Sequence, residues 1–312
     1  MYDYDTFLIT LYVRVDDFCK ASHEALRVSL HPGSAASLSV SEIVTLSLFE
    51  QWRLFPSERA FWRWAQRHLR SLFPGLPSRP QFLRQQQRCQ VVLEGFFQAL
   101  AQDLGARHSP FEILDRLGVA TRSCGRRGPE WLFGYADKGY CTRLGYFHGL
   151  HLLTAVTAEG VITGYGLGPA SCKDQPQAES FFALRAHPDP RFGALGCPAA
   201  SRTYVLDKGF SGPKLHRRWK AAYAVEVVCA PQKGHGRPWP KPLRRWVASL
   251  RQIVETVHGR LLESFRLERE RPHTLRGLLH RLAAKAGLHN FCIWLNRQLG
   301  RPDLAFADLI DW

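Results

Sequence analysis

The sequence predicts an α/β protein, a mixed sheet flanked by helices, preceded by an all-helical amino-terminal domain. Three observations carry this. Up to about residue 105, apolar residues recur every three to four positions, the helical period. Near Pro110 the pattern changes to short apolar runs, Phe111–Asp115, Tyr146–Thr157 and Val161–Leu167. Beyond Asp174, helical and extended patterns alternate, as in a sheet with helices on its faces. Residues 1–105 and 106–312 are therefore read as two domains.

The elements follow in order. Ser39-Val40-Ser41-Glu42 has the spacing of a capping box, and Ile43, Leu46 and Phe49 continue the helix it opens. A second helix starts at Ser57, with Phe61, Trp64, Ala65 and Leu69 on one face and Arg59, Arg63, Arg67 and Arg70 elsewhere. Pro74, Pro77 and Pro80 break the pattern, and a third helix is expected from about Gln81 to Leu104, basic at Arg84 and Arg88. Phe111–Asp115 reads as a short strand. Tyr146–Thr157 and Val161–Leu167 read as two more around the turn signal Glu159-Gly160. A helix over Asp174–Arg185, a strand over Thr203–Asp207, a helix over Pro213–Ala222 and an extended Ala224–Cys229 come next. Two long helices, about Leu243–Phe265 and Thr274–Leu299, close the chain.

Forty-two Lys and Arg against 27 Asp and Glu leave a net charge of +15, a field that favours a polyanion such as DNA or RNA. A structural role on a polyanionic assembly fits the charge equally. No uncharged apolar run is long enough to span a bilayer, and Met1–Asp17 lacks the basic start of a secretory signal. The expectation is a soluble, cytoplasmic protein with no membrane partner. Eight cysteines lie scattered without a Cys-x-x-Cys pair, which predicts reduced, mostly buried thiols and neither a disulfide framework nor a zinc site. Phosphate-loop, dinucleotide-binding and nucleophile-elbow motifs are absent from the sequence.

Three acids stand out. Ile113-Leu114-Asp115 and Val205-Leu206-Asp207 each finish an apolar run with a carboxylate, at strand ends, where ligand-binding groups gather in open α/β sheets. Glu255 is the first acid after Glu226, in a stretch that carries Lys233, Arg237, Lys241, Arg244, Arg245 and Arg251. A turn or cap role would also account for either aspartate, and Glu255 could pair with Arg251 one helical turn away. The chemistry wants all three together. Attack on a phosphodiester needs the phosphate charge offset and the nucleophile deprotonated, which two Mg²⁺ ions roughly 3.5–4 Å apart can do. Mg²⁺ prefers carboxylate oxygen and keeps positions open for water and phosphate.

At these residues the chain resembles bacterial insertion-sequence transposases that carry an Asp-Asp-Glu (DDE) triad on an RNase H-like domain. Tyr146–Leu153 and Val156–Gly160 are similar to the family's second and third strands, and Gly168–Asp174 to the segment that follows them. Leu206-Asp207-Lys208-Gly209-Phe210 resembles the second-aspartate block, and Arg251-x-x-x-Glu255 the final one. Leu38–Leu48 and Leu72–Arg79 look like the amino-terminal part of one compact group of these transposases. The resemblance implies that Asp115, Asp207 and Glu255 hold Mg²⁺ (or Mn²⁺), two ions in all. They would cleave and transfer DNA strands at terminal inverted repeats, with a homodimer assembled on DNA. It departs in places. Arg116-Leu117-Gly118 follows the first aspartate, where a small polar residue and a proline are usual, Ala248 replaces a tyrosine, and Leu262 replaces a lysine.

Arg251, Lys233, Arg237, Lys241, Arg244 and Arg245 are expected to contact DNA phosphates, with Trp239 available to stack on an unpaired base. Arg84 and Arg88 would contact DNA from the amino-terminal domain. Gly234, Gly236, Pro238, Pro240 and Pro242 predict a loop before the Glu255 helix. His258, one turn beyond Glu255, is read as an ordinary polar residue of that helix. Two alternatives stay open: an RNase H-like nuclease without strand transfer, and a non-catalytic DNA-binding regulator derived from a transposase.

Overall fold

A computed structural model describes residues 2–22, 37–122, 132, 134–187, 201–231 and 239–312. In chain order its elements are β1 (Tyr2–Asp3), α1 (Tyr4–Ala21), α2 (Val40–Phe49), α3 (Glu58–His68), α4 (Arg79–Arg88), α5 (Gln90–Asp103), β2 (Glu112–Arg122), β3 (Asp137–Cys141), β4 (Gly145–Val156), β5 (Ile162–Pro169), α6 (Asp174–Ala186), β6 (Thr203–Leu206), α7 (Pro213–Tyr223), β7 (Glu226–Cys229), α8 (Lys241–Gly259), α9 (Leu275–Gln298) and β8 (Ile310–Asp311). The chain divides into two compact units. One holds Met1–Leu100, Arg260–Arg269 and Thr274–Trp312, and the other Ala101–Gly259 with Glu270–His273.

The first unit is helical because its apolar residues repeat at the helical period and its caps are in place. Asp3 caps α1 by accepting from the Thr6 amide at 2.8 Å, and Ser39 and Glu42 close the capping box of α2. Carboxy-terminal α9 packs among the amino-terminal helices, buried along most of its length. An aromatic cluster of Phe7, Phe49, Trp52, Phe55, Phe61 and Phe265 fills the centre. Charge is buried there too. The Lys285 ammonium, fully enclosed, donates to Gln51 Oε1 at 2.6 Å. The Glu50 carboxylate accepts from Gln86 at 2.9 Å and faces Arg266 at 3.9 Å.

The second unit is the mixed sheet with flanking helices that the sequence predicts. Its six strands run β3-β4-β2-β6-β7, with β5 also on β4. β2 pairs antiparallel with β4 from Ile113↔Val156 to Arg122↔His148, and parallel with β6 over Glu112↔Tyr204 to Leu114↔Leu206. On one face Leu114, Leu153 and Ala155 pack under Phe181 and Phe182 of α6 and Trp219 of α7. α8 covers β2 through a stripe of Val247, Leu250, Val254 and Val257, spaced three and four apart. Within this core Arg185 forks onto both oxygens of Glu112, at 3.0 and 2.8 Å, and donates to Tyr204 at 2.9 Å.

Four expectations need correction. Asp115 does not end a strand, since β2 continues to Arg122. The continuous helix over Gln81–Leu104 is two, α4 and α5, parted at Cys89. β3 is an edge strand that no apolar run announced. Of the described cysteines only Cys89 and Cys292 are buried, whereas Cys19, Cys141, Cys172 and Cys229 are half-buried; all six are free thiols. No described helix is long and apolar enough to cross a membrane.

Candidate active site

The site grows out of one discontinuity in the sheet. β6 stops at Leu206 while its parallel neighbour β2 runs on, so the residue after Leu206 has no strand partner beyond it. Asp207 stands there, its backbone still extended, as the cap of a single 3₁₀ turn over Lys208–Phe210. Beside it on β2 comes Asp115, next after the last paired residue Leu114. Register thus sets the two aspartates on neighbouring strands at the same level. Asp115 lies opposite Thr154 of β4, on the sheet face that α8 covers.

Glu255 belongs to α8, and a buried contact fixes that helix. His258, one turn further, shares a 2.6 Å hydrogen bond with Thr154, the strand partner of Asp115. Burial lowers the His258 pKa to about 4, so the ring is neutral and spans helix to sheet. The histidine thus ties α8 to the sheet one turn beyond Glu255. Sequence reading saw only its spacing from Glu255, because its partner lies on a strand far away in the chain.

Arg251 sits between the acids. Its guanidinium is 3.2 Å from Asp207 and 3.7 Å from Glu255, with all three side chains partly exposed. Asp115 is more enclosed. Burial above all pushes its carboxyl up to about 6, Arg251 acts in the opposite direction, and the negative charges of Asp207 and Glu255 raise it further. Three carboxylates and one guanidinium therefore share an electrostatic neighbourhood. Among the described residues, no three acidic, histidine or cysteine side chains converge tightly enough to hold one ion as they stand. The donor set nonetheless fits a hard divalent cation. It consists of carboxylate oxygens, they repel one another, and a cationic group has already been drawn between two of them.

Behind Asp115 the sheet presents its other face. Arg116 meets Asp174 at 2.8 Å and donates to the Cys172 carbonyl at 2.7 Å. This explains how a charged residue follows the first aspartate, since its partner is the acid that opens α6. A cavity of about 490 Å³, lined by Arg116, His151, Asp174 and Gly209 among others, adjoins that pair. A Cβ at Gly209 would come within 2.1 Å of Asp174 Oδ2, so the carboxylate would have to shift away from it.

The family model described as Transposase DDE domain matches residues 104–291. The chain belongs to that family. No curated protein and no solved structure is significantly similar to it. The match supports a transposase function and implies a transposase- or nuclease-type enzyme, in a family that generally uses divalent metal ions and acts on DNA. The other expected DNA contacts are distributed over both units. Lys241, Arg244 and Arg245 are exposed on the first turns of α8, where Arg244, Arg251 and Glu255 recur on one side of the helix. Trp239 is half-buried just before it. Arg84 and Arg88 are exposed on α4 of the helical unit, and Lys233 and Arg237 lie outside the described residues.

Proposed function

We propose that this protein is the transposase of a bacterial insertion sequence, cleaving and joining DNA strands with two divalent ions, Mg²⁺ or Mn²⁺. Asp115, Asp207 and Glu255 would hold the ions. In this reading residues 1–105 bind the element's terminal inverted repeats, residues 106–312 carry the chemistry, and two protomers assemble on DNA at the bacterial nucleoid. The observation that supports it best is the side-by-side placement of Asp115 and Asp207 where β6 ends, with Glu255 on the helix over that face.

Divalent ions bound there supply positive charge to the phosphodiester and acidity to the attacking hydroxyl. The chain's own residues do the rest. Asp115 and Asp207 anchor from the rigid sheet, and Glu255 completes the set from α8, held by the His258–Thr154 bond. Arg251 is the natural phosphate partner, being a planar donor already in the cluster. Lys241, Arg244 and Arg245 extend the basic track along α8.

One observation favours a second reading, the non-catalytic regulator: Arg251 already pairs with both Asp207 and Glu255. Incubating the purified protein with Mn²⁺ and a duplex carrying the element's terminal repeat separates the readings. Strand cleavage and joining into a target duplex supports the proposal. Cleavage without joining identifies a nuclease, and binding without cleavage identifies the regulator.

A further inference from the structure

We propose that α3 is a sequence-independent contact to the DNA backbone, carried by Arg59, Arg63 and Arg67. The inference rests on the reading of the protein as DNA-acting and concerns a different surface from the carboxylate site. The three arginines recur every fourth residue, so they line one side of the helix, rising about 6 Å from each to the next. All three are exposed. The opposite side is buried through Phe61, Trp62 and Ala65, which leaves the basic face outward and the helix firmly seated.

A basic face is usually only a solvated one, and the surroundings of this one argue for a ligand. Among the described residues no ion pair or side-chain hydrogen bond engages Arg59, Arg63 or Arg67. The one acid of the helix, Glu58, is occupied by Arg281 at 2.6 Å. Residues 51–100 contain eight arginines, no lysine and two acids, Glu58 and Glu94. Solubility is served as well by lysine. Arginine, which outnumbers lysine along the whole chain, is a planar, forked donor that can grip phosphate through two parallel hydrogen bonds. The helix macrodipole favours Arg67 and His68 in the last turn but gives no reason for Arg59 or Arg63 in the first half. Phosphate contacts fix position and carry no sequence information, and comparing an end duplex with a scrambled one separates them from guanine-reading contacts by the same arginines.

The test uses full-length protein with Arg59, Arg63 and Arg67 all changed to Gln. Affinity is measured against salt on a duplex from the element's end and on a scrambled duplex of equal length. The slope of log affinity on log salt should become shallower by up to about 0.9 per lost contact, equally on both duplexes, with their affinity ratio unchanged. The triple Arg→Lys variant should keep the wild-type slope. Should the Gln variant fail to fold, the single Arg63→Glu change on the exposed face gives the same comparison. An unchanged slope, a loss confined to the end duplex, or an effect seen only with RNA overturns the proposal. If wild type binds neither duplex, the DNA-acting reading fails; if it binds and the variant matches it, only the role of α3 fails.

Discussion

Both units of the molecule bury a carboxylate at a cost, and they handle it differently. Glu50, in the helical unit, is pushed up to about 7 by its enclosure, with Glu58 adding to the shift and Arg266 and Gln86 opposing it. Asp115, in the sheet unit, is pushed up to about 6, again by burial first. Around Glu50 the neighbours are a donor amide and a buried guanidinium, an arrangement closed on itself. Around Asp115 the nearby charges include two more acids, both partly exposed, with one partly exposed arginine among them. The first arrangement is finished by the protein. The second leaves like charges near one another with only Arg251 between two of them, the arrangement that the proposed ion site requires.

The largest consequence is catalytic. Asp115→Asn, Asp207→Asn and Glu255→Gln should each lower strand cleavage on the order of 10³-fold while DNA binding stays near wild type, since each removes one anchor for charge at the phosphate. Glu50→Gln should leave cleavage unchanged. A Glu255→Gln protein that cuts at the wild-type rate would remove the distinction between the two carboxylates.

Next in size is stability against pH. The folded pKa of Glu50 is raised from 4.5 to about 7, so the stability it permits is fully present below pH 4.5 and lost as pH rises through 7. The full loss amounts to about 3 kcal/mol, most of it falling between pH 5 and pH 8. Urea melts of wild type at pH 5 and pH 8 should show this decline on top of other contributions, and Glu50→Gln should be flatter by that amount. Equal pH slopes for the two proteins would show that Glu50 ionises as freely folded as unfolded.

The contrast between these sites explains how much could be read from the sequence. The strand β4, the helices α6 and α9 and the capping box at Ser39 were legible because apolar period and cap chemistry are local. Asp115 was legible as a candidate but misplaced at a strand end. Asp115-Arg116 breaks the apolar run, and distant partners, Asp174 and the Cys172 carbonyl, satisfy Arg116 within the strand. β3 was illegible for the opposite reason: Asp137-Lys138-Gly139-Tyr140-Cys141 is an edge strand whose side chains are half-buried or exposed, with no hydrophobic alternation. The break between α4 and α5 at Cys89 leaves no trace, since both sides keep the helical period. The Arg251–Glu255 pair was visible as an i,i+4 spacing, whereas its third member, Asp207, needed the fold.

A smaller effect is expected from divalent cations on thermal stability. Millimolar Mn²⁺ at pH 8 should raise the midpoint of wild type and of Glu50→Gln alike by a few degrees, through binding to the folded state only. Asp115→Asn should respond much less. A shift of equal size in Asp115→Asn would place the binding elsewhere.

The smallest effect concerns Arg251. At 3.2 Å from Asp207 and 3.7 Å from Glu255, its guanidinium competes with any cation for the same oxygens. Removing it should strengthen divalent-ion binding. The gain is limited, because all three side chains are substantially exposed and pairs of this kind are worth roughly 0.2–1 kcal/mol each. Two such contacts correspond to about a two- to thirtyfold change in affinity. Arg251→Gln should therefore bind Mn²⁺ a few-fold more tightly than wild type in the absence of DNA, measured by the electron paramagnetic resonance of free Mn²⁺. With duplex present the advantage should shrink, since wild-type Arg251 can then turn to a phosphate and release the acids, which couples the two ligands by the same factor in both directions. Lower Mn²⁺ affinity in Arg251→Gln would mean that the arginine orients the carboxylates for the ion and does not compete with it.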